Sequence, residues 1–135
     1  MGVEKMGFLS VIIAAFAGFA VGAVWYMALA EPWMEAAGIK RGPDGKPENS
    51  SATPYIMAAL AMFLVAGMMR HTFSLSGIDE LGEGLVSGLG IGLFFICPWI
   101  MINNAYGGRP FRLTLIDGGY AVIGCSVIGL VLTIF

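Results

Sequence analysis

Asn103, Asn104, Arg109, Arg112, Asp117 and Tyr120 crowd one stretch of an otherwise apolar chain, and theirs are the side chains best suited to chemistry. Ionisable groups within a membrane domain are costly, so they mark either a site or a deliberate pairing. Asp117 stands near the start of a predicted helix, where the helix dipole also favours a carboxylate. Two readings follow. In the favoured one, Arg109 or Arg112 pairs with Asp117 and clasps a connecting segment to the helices. In the other, the six residues form a polar pocket at one membrane face. Arg109 there meets an anionic headgroup or solute, and Asn104 shapes the space.

Other constellations fail. No phosphate-binding loop with its lysine is present, and the glycines at 88, 90 and 92 do not complete a dinucleotide fingerprint. Ser87-Gly88 lacks the flanking nucleophile-elbow pattern. His71 has Asp79 and Glu80 near it in sequence, but a single histidine without a positioned nucleophile is weak evidence of catalysis. Cys97 and Cys125 both fall in apolar runs and read as small buried hydrophobes. No metal, cofactor or catalytic residue is expected. Asn49-Ser50-Ser51 matches a glycosylation acceptor, a pattern short enough to arise by chance.

The elements that must position these residues are set by composition. The chain is 58% hydrophobic and only 12% charged, with a mean hydropathy of +0.84, well outside the range of soluble domains. Its net charge of −2 gives no basic excess for nucleic acid. An all-α fold follows: a polytopic membrane protein, a bundle of four transmembrane helices at about 7–30, 54–76, 84–103 and 113–135 in a single domain. The first run carries no charge from Met6 to Ala30. It exceeds a typical signal-peptide core and is preceded by little positive charge, so it reads as a span although Ala28-Leu29-Ala30 resembles a cleavage site.

Trp25, Tyr26 and Trp33 gather near the end of that span as interface anchors. Pro32 is a poor residue to continue the helix. A polar loop occupies 38–53, and Thr53 caps the next helix with Pro54 in its first turn. Arg70 then snorkels to the interface. An acidic turn at 77–83 leads to the third helix, which Cys97-Pro98 kinks.

Small residues recur at four-residue spacing: Ala14, Gly18 and Gly22; Gly84, Gly88 and Gly92; Ala121, Cys125 and Gly129. Each set falls on one helix face and allows close approach of backbones in lipid. Packing inside the bundle is favoured over contact between subunits. Lys40, Arg41, Lys46, Arg109 and Arg112 outweigh Lys5 and Arg70, so the loops at 31–53 and 104–112 are predicted to be cytoplasmic.

Gly22-Ala23-Val24-Trp25-Tyr26, Pro32-Trp33-Met34 and Gly38 open a pattern that continues through Gly84, Gly88, Gly92 and Asn104. Gly108-Arg109-Pro110, Ile116-Asp117-Gly118-Gly119-Tyr120 and Gly129 complete it. In order and spacing this resembles the uncharacterised membrane family called the domain of unknown function 1761 family. The resemblance covers nearly the whole chain outside the polar loop, and departs from it at Met27-Ala28. It implies four spans in a prokaryotic inner membrane and brings no established activity. Three functions are then in view. A non-catalytic module leads, either a homo-oligomer or an accessory subunit of a membrane complex, with membrane lipids around it. An oligomeric transporter or channel for a small solute or ion is second. A lipid-modifying enzyme using Asp117 or His71 is third.

Overall fold

The computed structural model describes residues 7–47 and 51–135. Its first helix, α1, covers Phe8–Ala28, and Leu29 leaves the helical region before α2 resumes at Ala30–Ala37. The break has a simple cause. A proline ring clashes with the carbonyl four residues earlier, which for Pro32 belongs to Ala28, the last residue of α1. In the first turn of a new helix, where N–H groups have no intrahelical acceptor, the same proline is tolerated. The first span therefore ends two residues earlier than predicted, and Pro32 opens a helix rather than only closing one.

The end of α2 is fixed by Gly38 at φ 73°. Its N–H donates to the Glu35 carbonyl at 3.3 Å, and that of Ile39 donates to the Met34 carbonyl at 2.9 Å, the paired bonds of a left-handed helix stop. Helix α3 covers Thr53–Ser76. Thr53 is its first helical residue and not its cap; Ala52 takes the cap position and makes no side-chain bond. Helix α4, Leu81–Tyr106, starts earlier than predicted. Glu80 and Glu83 form a reciprocal capping box, so two of the acidic residues assigned to a turn begin the helix. The irregularity in α4 lies just before the proline: residues Ile91–Ile96 form a wide π turn ahead of Cys97-Pro98. Pro98 offers no N–H to the Phe94 carbonyl and crowds it, which favours widening of the preceding turn. Helix α5 covers Phe111–Ile134.

Helices α1, α3, α4 and α5 are each long and apolar enough to cross a bilayer, with mean hydropathy between 1.5 and 2.2. They are the four spans of a membrane protein. α2, the polar loop and the 107–110 turn lie at one end, and the α3–α4 turn lies at the other. Helix α5 is the axis of the bundle. α1 and α4 both pack along it, and α3 packs mainly on α1. Val11, Ala14, Ala66, Phe73, Ile128 and Leu132 fill the space between α1, α3 and α5. A second cluster of Ala36, Ala37, Leu113 and Ile116 seats α2 on the start of α5.

The α4–α5 contact is made by backbone. A Cβ on Gly84 would stand 2.5 Å from the Gly129 carbonyl oxygen, and one on Gly92 would stand 2.5 Å from that of Ala121. One on Gly88 would fall onto the Cys125 carbonyl. The small residues of the two helices thus face one another in antiparallel order. On α1 they are met differently. Gly18 faces the Ile128 side chain and Met62, Gly22 faces the Tyr120 ring, and Ala14 is fully buried.

Candidate functional site: a polar cluster between α1 and α5

Two helices that meet in lipid gain little from hydrophobicity, since the lipid is as apolar as they are; close packing and interhelical hydrogen bonds must hold them. Three long side chains supply those bonds between α1 and α5. Trp25 Nε1 donates to the Ile116 carbonyl at 2.8 Å. Tyr26 Oη donates to Asp117 Oδ1 at 2.6 Å. Tyr120 Oη donates in the opposite direction, to the Gly18 carbonyl at 2.9 Å, with Met62 Sδ at 3.4 Å.

Glycines make room for these rings. A Cβ on Gly119 would come within 2.5 Å of the Trp25 ring, and one on Gly22 within 2.8 Å of Tyr120. The Tyr26 ring meets Tyr120 edge-on at 5.6 Å and Trp33 at 5.9 Å, an arrangement that aromatic quadrupoles favour. Trp25 and Tyr26 therefore spend their polar atoms on α5. Asp117 is half-buried, and its second oxygen accepts no hydrogen bond among the described residues.

The ion pair predicted between Arg109 or Arg112 and Asp117 does not form. Arg112 is five positions before Asp117, and helix neighbours are three or four apart. It meets Glu35 of α2 instead, at 3.5 Å. Arg109 precedes α5 and reaches the C-terminal end of α2: a Cβ on Gly38 would lie 3.5 Å from its Nη1. A cation is favoured there by the helix dipole. Its place is set by Gly108 at φ 71°, which lets the Arg109 N–H reach the Asn104 carbonyl at 2.9 Å. Asn104 Nδ2 donates to Thr114 Oγ1 at 3.1 Å and ties the end of α4 to α5. Asn103 is exposed and stands apart from the cluster. The six residues singled out between 103 and 120 thus do not converge on one pocket. Asp117 and Tyr120 join Trp25, Tyr26 and Trp33, while the arginines edge the α2 end of the bundle.

Sequence reasoning missed Glu35, Glu31 and Thr114. The two glutamates became partners only because α2 is a helix, on which they stand four residues apart; Glu31 pairs with Arg41 at 2.5 Å. Cys97 is also more than a hydrophobe, since its thiol donates to the Gly118 carbonyl at 3.3 Å. His71 is exposed near the far end of α3, across the membrane from Asp117. Asp79, Glu80 and Glu83 bring carboxylate oxygens within 4.8 Å of one another, but all three are exposed and two are engaged in the capping box. Lys5, and Asn49 and Ser50 of the glycosylation pattern, lie outside the described residues.

No curated protein and no solved structure matches this chain. A family model described as "Protein of unknown function (DUF1761)" matches residues 9–133. The match reaches into all four spans and takes in every residue of the α1–α5 cluster, and the chain belongs to this family.

Proposed function

We propose that the protein is a non-catalytic module of a prokaryotic inner membrane, self-associating or accessory to a larger membrane complex. The observation that carries this reading is how the polar side chains of the α1–α5 cluster are used. The Trp25 indole and the Tyr26 and Tyr120 hydroxyls each donate to the facing helix, which makes the cluster a rigid tie. Large apolar side chains on α3 and α4, among them Leu64, Met68, Phe94 and Trp99, point away from the bundle and offer surface to lipid or to another subunit. Native mass spectrometry of gently extracted protein tests the reading. A mass at a whole multiple of 14.3 kDa, or one increased by a second polypeptide, is the expected result. A bare monomer at every protein concentration overturns it.

The loops at 31–53 and 104–112 face the cytoplasm in this proposal, because they hold most of the basic residues. In a background with Cys97 and Cys125 replaced by alanine, Asp44→Cys is expected to resist an impermeant thiol reagent in intact cells. Ser76→Cys is expected to react. The reverse pattern inverts the topology.

A second reading, an oligomeric transporter for a small solute or ion, is favoured by one observation: Asp117 is half-buried in a span with one oxygen outside the hydrogen-bond network. Solute flux into proteoliposomes that Asp117→Asn abolishes would select it over the first.

A further inference from the structure

We propose that the outer groove between α1 and α5 holds one anionic phospholipid, with an acyl chain along the groove and the phosphate at Arg112. Ala20, Val24 and Ala28 of α1, Leu29 at the break after it and Ile123 of α5 line the groove, and Trp25 forms part of its wall; its volume is about 580 Å³. The groove exists because small side chains at Ala20 and Ala28 leave the surface of α1 low. Trp25 meanwhile leans onto Gly119 and donates its indole N–H to Ile116. What remains along the channel is hydrocarbon, open to the membrane, and suited to a chain of methylenes.

Charge complementarity at one end selects the headgroup. On α5, Arg112, Ile116, Gly119 and Ile123 follow one another at spacings of four, three and four, so they share one stripe of the helix. Ile123 lines the groove, Gly119 carries the Trp25 ring, and Arg112 stands one turn beyond Ile116 toward α2. The Arg112 contact with Glu35 is a single approach at 3.5 Å between exposed side chains. Exposed pairs of that kind contribute little, whereas a guanidinium binds phosphate oxygens in a two-pronged geometry. Lys40 and Arg109 add positive charge at the same end of the bundle, where the lipid headgroup layer would lie. This lipid site does not depend on whether the protein self-associates, and lipid adducts are counted separately from subunits.

The test titrates the detergent-solubilised protein with phosphatidylglycerol or phosphatidylcholine of identical chains and counts bound lipid by native mass spectrometry. Phosphatidylglycerol is expected to be retained about fivefold better, the scale of one basic side chain acting on an anionic lipid. Arg112→Ala should bring it down to the phosphatidylcholine level. Ala20→Phe fills the groove far from the cations and should weaken both lipids alike. Equal retention of the two lipids by the unaltered protein, or undiminished phosphatidylglycerol in either variant, overturns the proposal. An adduct of inorganic phosphate that Arg112→Ala removes also overturns it, and assigns the arginine to a free anion.

Discussion

Gly88→Ala is expected to destabilise the solubilised protein by roughly 2–3 kcal/mol, while Gly90→Ala, two residues along the same helix, leaves it unchanged or gains up to about 1 kcal/mol. A Cβ at Gly88 lands on the Cys125 carbonyl, and backbone cannot rotate aside as a side chain would. The two helices must then separate, and close approach weakens along the whole α4–α5 line. Nothing lies within 4 Å of a Cβ at Gly90, so alanine there only restricts the unfolded chain. Denaturant titration of the two variants, followed by circular dichroism, gives the comparison. Equal losses at both positions would mean that helix propensity and not the α4–α5 contact sets the role of these glycines.

The second large effect is expected from Tyr26→Phe, which leaves the Asp117 carboxylate without its donor. Hydrogen bonds between membrane helices typically contribute about 1 kcal/mol and rarely reach 2. A bond of 2.6 Å to a carboxyl oxygen places this one in the upper part of that range. Tyr26→Phe should therefore cost about 1–2 kcal/mol, and the volume of the ring is retained, so packing against Tyr120 and Trp33 changes little. Asp117→Asn keeps a side-chain carbonyl able to accept the same bond and should cost less. A double-mutant cycle with Asp117→Ala isolates the pair. A coupling energy indistinguishable from zero would show that the Tyr26 hydroxyl does not depend on this carboxylate.

The four spans were legible because long uncharged runs have few alternatives once 58% of the chain is hydrophobic. Small residues at four-residue spacing marked a face on three of the four spans, but periodicity alone does not name the partner. Gly88 meets a backbone while Gly22 meets a tyrosine ring, and both look alike in sequence. Asp117 was paired in the sequence reading with an arginine, and its partner in the structure is Tyr26. Opposite charges nearby in sequence drew attention to Arg109 and Arg112, whereas the donor that reaches it lies 91 residues away on another helix. Helix α2 was missed for a related reason. Pro32 punctuates a sequence in both directions, and the left-handed stop at Gly38 is apparent only once the helix before it is assumed.

The tie between α1 and α5 also constrains how the protein is made. Its three hydrogen bonds join residues 91 to 102 positions apart, so the first of these four spans docks on the fourth. At ribosomal speeds of about 5–20 residues per second, α1 waits roughly 5–20 seconds for its acceptors. Throughout that interval the indole of Trp25 and the hydroxyl of Tyr26 must find substitute partners in the headgroup layer, close to where their helix ends. A nascent chain arrested before α5 emerges would hold α1 with those groups still turned toward water, and release of α5 would draw them inward in one step.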